Sequence, residues 1–221
     1  YNMLEAANQY ECALFFPSSI GAFGVSTPSE NTPQVTIMRP STMYGVTKLT
    51  GELLCDYYYN RFEVDTRGLR FPGLISYETE PGGGTTDYAV DIFFHAIEHK
   101  KYTCYLRPDT SMDMMYMPDA INAVIGLMEA DSSRLIHRNA YNVTAMAFTP
   151  EALTAEIQSH LPGFKVDYEV DPVRQAIADS WPNSIDDSVA REEWDWSPKY
   201  NLTETTADMI KHLTINQQKK G

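Results

Sequence analysis

Two short strand-like runs, each stopped by proline, bracket one long helical segment, and that order leaves few folds open. Ala13-Leu14-Phe15-Phe16 is continuously apolar and is closed by Pro17-Ser18-Ser19, which suits a strand buried on both faces of a parallel sheet. A Ser/Thr/Pro-rich loop follows to about Pro40. Helical character then runs from Thr42 to about Phe62, with Leu49, Leu53, Leu54 and Tyr57 at helical spacing. Thr66–Phe71 is the next strand candidate, stopped by Pro72-Gly73. Strand, helix and strand in this order make a βαβ unit, whose crossover is nearly always right-handed.

The rest of the chain continues the alternation. Residues 1–10 read as a helix with Met3, Leu4 and Ala7 on one side. Glu80-Pro81-Gly82-Gly83-Gly84 is a loop, and a helix starts at Asp87-Tyr88 and runs to about His99. Strands are expected at Tyr102–Leu106, Met114–Met117, Tyr141–Val143 and Val166–Val170. Pro118-Asp119 opens a helix through Met128, with Asp119 as its cap. Thr149-Pro150 has the form of an N-cap followed by proline at the first helical position, for a helix to Leu161. Residues 203–217 form a terminal helix. The class is α/β.

Composition mainly excludes. Hydrophobic residues at 43% and charged residues at 21% allow a packed core and argue against disorder. A net charge of −13, with no basic cluster beyond Lys219-Lys220, lacks the footprint that neutralises nucleic-acid phosphates. No apolar run approaches a membrane span. Cys12, Cys55 and Cys104 are scattered and odd in number, so they read as structural thiols of a reducing compartment such as the cytoplasm. His95 and His99 share a helix face, but no third ligand is evident and no metal is expected. The Met112–Met117 run reads as core packing.

Tyr44-Gly45-Val46-Thr47-Lys48 is a Tyr-x-x-x-Lys motif. Four residues apart on a helix, the two side chains lie on one face. An ammonium beside a phenol favours the phenolate, bringing its pKa of about 10 toward the working range. Tyr44 is thereby a candidate general base for an alcohol. In a tyrosine-rich chain such a pair also arises by chance about as often as not, as a plain surface pair. Context adds weight: Ser18-Ser19 ends a strand at the carboxyl edge of a parallel sheet, where ligands bind. A hydroxyl there can hold a substrate oxygen beside Tyr44, although either serine can also simply cap a turn.

Ser18-Ser19-Ile20-Gly21-Ala22-Phe23-Gly24, then Tyr44-x-x-x-Lys48, then Leu69-Arg70-Phe71-Pro72-Gly73 resemble, in that order, the extended short-chain dehydrogenases. The resemblance implies a catalytic triad of Ser19, Tyr44 and Lys48. It also implies NAD as cofactor, contacted by Ser18, Tyr44, Lys48 and the segment Pro72-Gly73-Leu74. Nucleotide-sugar epimerases and dehydratases of that superfamily usually carry Asn where this chain has Pro72 or Gly73, which counts against a sugar-nucleotide substrate. The segments Pro81–Val90, Tyr141–Met146, Arg174–Pro182 and Asp186-Asp187-Ser188 through Trp194-x-Trp196 instead resemble epimerase-like L-threonine 3-dehydrogenases.

That resemblance implies oxidation of L-threonine at C3 to 2-amino-3-oxobutyrate, with Ser19, Tyr44, Gly84, Thr85, Thr86 and Trp181 around the substrate. A Gly-rich loop opening a helix suits a small carboxylate; the alternative is a loop ordered only by Asp87 capping the helix. An epimerase or dehydratase, or a non-catalytic NAD-sensing protein of the same fold, are the competing functions. The family pattern further implies a homodimer paired through residues 1–10 and 42–62, with Leu49, Leu53, Leu54, Tyr57 and Tyr58 supplying apolar surface. It places the compartment in the cytoplasm, or in the mitochondrial matrix of a eukaryote.

A dinucleotide fold needs a Gly-rich first turn and a ribose-binding acid. Neither is evident, since Gly21-x-x-Gly24 follows the wrong strand. The expected architecture is therefore the carboxyl-terminal part of a Rossmann-type doubly wound parallel sheet with a smaller α/β substrate lobe. Residues 1–148, interrupted by a substrate-loop segment 76–110, form the first part, and 149–221 the lobe and terminal helix.

Overall fold

The computed structural model describes residues 1–220, the last two by backbone alone. The elements are, in order, α1 (Asn2–Gln9), β1 (Leu14–Ser19), α2 (Met43–Phe62), β2 (Thr66–Phe71), β3 (Gly73–Ile75), α3 (Tyr88–Glu98), β4 (Lys101–Cys104) and β5 (Met112–Tyr116). There follow α4 (Met117–Glu129), β6 (Tyr141–Asn142), β7 (Met146–Phe148), α5 (Pro150–His160), β8 (Lys165–Tyr168), α6 (Pro172–Ala178), α7 (Ser188–Trp194) and α8 (Leu202–Lys220). The fold is α/β and Rossmann-like, with its principal sheet parallel.

Two compact units result. Tyr1–Pro72, Ala120–Thr144 and Ser180–Ser197 make the first; Gly73–Asp119, Ala145–Asp179 and the chain from Pro198 make the second. Against the expected limits, the interrupting segment is Gly73–Asp119 where 76–110 was expected, and Ser180–Ser197 of the expected lobe 149–221 returns to the first unit.

In the first unit the strand order is β1-β2-β6, all parallel, with Ser18 opposite Arg70 and Ser19 opposite Phe71. The central, buried strand is β2, although Thr66-Arg67-Gly68-Leu69-Arg70-Phe71 looks too polar for that place. Both arginines are buried because their guanidinium groups are fully engaged. Arg67 donates from Nη1 to the Leu127, Met128 and Ala130 carbonyls at 2.7, 3.1 and 2.9 Å. It thereby binds carbonyls at and just beyond the end of α4, where a cation also complements the helix dipole. Arg70 is paired with Glu52 of α2. By contrast β1 is only half-buried and is an edge strand among the described residues, so the expectation of a strand buried on both faces is corrected.

Helix α2 begins where Thr42 accepts a hydrogen bond from the Gly45 N–H at 3.0 Å, a cap worth about 1 kcal/mol. Its inner face joins α1 and β1 in a cluster of Leu4, Ala7, Cys55, Tyr58 and Val64. Burial pushes the Cys55 thiol up to about 12, with Asp56 and Glu52 adding to it, which keeps that thiol protonated and unreactive.

In the second unit β5 lies between a parallel β3 and an antiparallel β7, and β4 pairs with β8 in parallel. Met112, Met114 and Met115 are fully buried in β5, as the core reading of that run expects. Asp119 does not cap its own helix: α4 already starts at Met117. The carboxylate instead accepts the backbone N–H groups of Lys199 and Tyr200 at 3.0 Å and anchors the entry to α8. Among the described residues no helix is long and apolar enough to cross a membrane, and no three His, Cys, Asp or Glu side chains converge as metal ligands.

Candidate active site

The first unit gathers Ser19, Tyr44 and Lys48 where β1 ends and α2 begins. Ser19 is the last residue of β1, and its Oγ accepts the Gly21 N–H at 3.1 Å, capping a 3-10 turn over Ile20–Ala22. A Cβ on Gly21 would lie 3.0 Å from the Tyr44 ring and 3.5 Å from Ser19 Oγ, so ring and hydroxyl meet over this one residue. Tyr44 is 53% exposed, open to a ligand.

The approach is set by a second glycine. A Cβ on Gly45 would come 2.0 Å from the Gly21 carbonyl oxygen and 2.6 Å from Pro40 Cβ. Only a residue without that atom lets the first turn of α2 press on the 3-10 turn. Lys48, one helical turn on, donates from Nζ to the Pro17 carbonyl at 2.6 Å and sits 5.4 Å from the Tyr44 ring centroid. The geometry suits a phenol that gives and takes a proton beside a fixed cation, with a hydroxyl at hand for a substrate oxygen.

Ser18 has a different place. Its hydroxyl is buried and donates to Glu52 Oε1, so it is committed to the interior and is not free for a cofactor. In a strand, successive side chains point to opposite faces, and Ser18 and Ser19 accordingly part company. Trp181 packs against Ile20, Phe23 and Ile185 behind the Ser19 turn. Pro72 ends the first unit directly after β2.

The remaining expected residues belong to the second unit. Gly73 is required by packing: a Cβ there would come 2.3 Å from Met114 Sδ and 3.0 Å from Thr86. Leu74 is part of β3, half-buried. Gly84 precedes a 3-10 turn over Thr85–Asp87, and its N–H donates to the Asp87 carboxylate at 2.8 Å. That backbone donor is therefore occupied, which favours the capping alternative at Gly84 over a carboxylate contact through its N–H. The same turn is held from outside by Tyr105, whose hydroxyl donates to the Gly84 carbonyl at 2.9 Å. Burial raises the Tyr105 phenol, keeping it a donor, although the cation of Arg174 over its ring opposes the shift.

Sequence reasoning did not single out Glu52, Gln34, Asn142 or Tyr105. For Glu52 a signal existed, because it repeats the four-residue step from Tyr44 to Lys48 once more along α2.

Residues 1–144 match the NAD dependent epimerase/dehydratase family. The chain belongs to that family. A family relative, an uncharacterized epimerase/dehydratase of Staphylococcus haemolyticus, is 61% identical over 219 residues, covering 99% of this chain and 69% of the relative. Among solved structures of like fold, the L-threonine dehydrogenase from Clostridium difficile is 56% identical with a TM-score of 0.96, covering 97% of this chain and 67% of that one. The holo form of a GalE-like L-threonine dehydrogenase from Cupriavidus necator is 52% identical with a TM-score of 0.94, covering 96% of this chain and 69% of that one. The chain thus spans about two-thirds of the length of the family members it matches.

Proposed function

We propose that the protein to which this chain belongs oxidises L-threonine at C3 to 2-amino-3-oxobutyrate, with NAD as oxidant. The observation that carries the reading is the Tyr44 ring and Ser19 hydroxyl side by side at Gly21, with the Lys48 ammonium 5.4 Å from that ring, in a chain similar at 52–56% identity to two L-threonine dehydrogenases. The donor set fits the cofactor: a lysine ammonium beside an exposed phenol at the carboxyl edge of parallel strands suits a ribose hydroxyl and a reacting alcohol together. NAD, when bound, supplies the acceptor for the C3 hydride. Tyr44, as a phenolate stabilised by Lys48, takes the proton of the C3 hydroxyl and becomes the phenol; Ser19 Oγ holds that oxygen, and Lys48 would also hold the ribose. The alcohol loses one hydride and one proton and becomes a ketone.

The assay is NADH formation by the full-length protein with L-threonine, L-serine and sugar nucleotides. Turnover with threonine supports the proposal; turnover only of a sugar nucleotide replaces it with an epimerase or dehydratase reaction.

Thr85, Thr86 and Trp181 are assigned to the amino-acid end of the substrate, with Gly84 left to the turn that Asp87 caps. Thr85 is buried at 8% exposure and carries the hydroxyl nearest the start of the turn. Thr85→Val, which keeps the shape and deletes the hydroxyl, is expected to raise the KM for threonine roughly tenfold with little change in melting temperature. Unchanged threonine kinetics would remove Thr85 from the pocket. Trp181→Ala is a poorer probe, because it also strips a ring from the Ile20–Phe23–Ile185 cluster.

We further propose that the protein pairs as a homodimer through α1 and α2. Met3 of α1 and Leu53 and Tyr57 of α2 are exposed by 68, 60 and 54%, apolar side chains that a second helix pair would cover. Tyr58 does not contribute, since it is buried with Leu4 and donates to Glu5. Light scattering of the full-length protein should give twice the chain mass, and Leu53→Glu should halve it. A parent that is monomeric at micromolar concentration contradicts the pairing.

A further inference from the structure

Glu52 is buried at 2% exposure in the middle of α2, where an unpaired carboxylate would be costly. Its two oxygens are saturated. Ser18 of β1 donates to Oε1. Arg70 of β2 donates from Nε to both oxygens at 3.1 and 3.2 Å and from Nη2 to Oε2 at 2.9 Å. Arg70 is itself fixed by Nη1 bonds to the Gln34 carbonyl at 3.0 Å and Asn142 Oδ1 at 3.1 Å. One carboxylate therefore joins α2 to two adjacent strands, and through Arg70 to β6 and the loop before α2.

A buried ion pair is a weak device for stability, because well-packed apolar side chains of the same volume often serve as well. What it has and they lack is direction. Tyr44, Lys48 and Glu52 recur every four residues and lie along one slowly drifting row of α2. Lys48 is tied to the Pro17 carbonyl and Glu52 to the next residue, Ser18, so the row is pinned to consecutive positions of β1. Sliding or rotating α2 against the sheet would break the charged bonds at Glu52, whereas apolar contacts would tolerate a small slip.

We propose that Glu52, braced by Arg70 and Ser18, is a positioning residue for the Tyr44–Lys48 pair: it fixes the setting of α2 over β1 and thereby the placement of the phenol beside Ser19. The inference rests on the proposed role of Tyr44, and its test is chosen to fail separately from that role.

The test uses the full-length protein with its tyrosines labelled at Cζ with carbon-13, the Tyr44 signal being identified by its loss in Tyr44→Phe. Glu52→Leu/Arg70→Met replaces the pair by apolar groups of similar size, and Ser18→Ala removes one bond to it. In the folded double variant the Tyr44 signal should move, and kcat for threonine should fall roughly 10- to 100-fold. The KM for threonine should stay within about threefold. Ser18→Ala should give a smaller change in the same direction. A double variant with the Tyr44 signal of the parent overturns the proposal, as does a displaced signal with unaltered kcat. Should the double variant not fold, Ser18→Ala is judged by the same two criteria. A parent that does not oxidise threonine sinks the proposed substrate, and the Tyr44 signal alone then decides the role of Glu52.

Discussion

Tyr44→Phe should lower turnover roughly 100- to 10,000-fold, the range spanned by a single positioned acid–base group. The substitution is mild in every other respect. Phenylalanine keeps the ring that lies over Gly21, 3.0 Å from where a Cβ would be, and keeps a face for the Lys48 ammonium 5.4 Å from the centroid. The side chain is 53% exposed, so the change in stability should stay within about 0.5 kcal/mol. Affinity for NAD, measured by calorimetry on the full-length protein, should change by no more than about threefold, since Lys48 and not the phenol is proposed to hold the ribose. A Phe variant with most of the parental rate would show that the proton leaves by another route.

Gly45→Ala should be damaging out of proportion to its single added carbon. The new Cβ would lie 2.0 Å from the Gly21 carbonyl oxygen and 2.6 Å from Pro40 Cβ. The first of these is backbone in a capped turn and cannot swing aside. The first turn of α2 has to lift from the 3-10 turn, and Tyr44, the preceding residue, lifts with it. Overpacking of this kind costs about 1–3 kcal/mol, a fall in Tm of about 2–4 °C for each kcal/mol in a chain of this size. The larger effect should be on kcat, which is expected to drop about 100-fold from a displacement of the order of an ångström at the reacting groups. Gly163→Ala supplies the control, because nothing lies within 4 Å of a Cβ there. Equal behaviour of the two variants would mean that the close approach at Gly45 is not what seats Tyr44.

The βαβ order around α2 was legible because its signals are local: an apolar run, prolines that stop it, and a long helical period. The central place of β2 was not, since two arginines in six residues hide a buried strand unless their partners are known. Those partners are Glu52, eighteen residues back, and the carbonyls ending α4, some sixty residues on. The same separation hid the division of labour between Ser18 and Ser19, which only the pairing of Ser18 with Glu52 reveals. Strands β3 and β7 have three residues each and are created by pairing with β5, leaving no period to detect.

Helix α6 is another matter. Asp171 accepts the N–H groups of Val173 and Arg174, and Pro172 is its first residue. That is the same start signal that Thr149-Pro150 gives for α5, and it was available in the sequence. Gly73 shows the opposite hazard, a residue credited to a ligand whose absence of a side chain is already demanded by Met114 and Thr86.

The most direct measurement follows the atom that the proposed reaction moves. L-threonine deuterated at C3 is incubated with NAD and the full-length protein, and the NADH formed is analysed by mass spectrometry, with the Tyr44→Phe variant in parallel. The proposed reaction requires deuterium in the nicotinamide ring of the product, formed roughly 100- to 10,000-fold more slowly by the variant. NADH without deuterium, or no NADH from threonine at all, would contradict oxidation at C3 by this site.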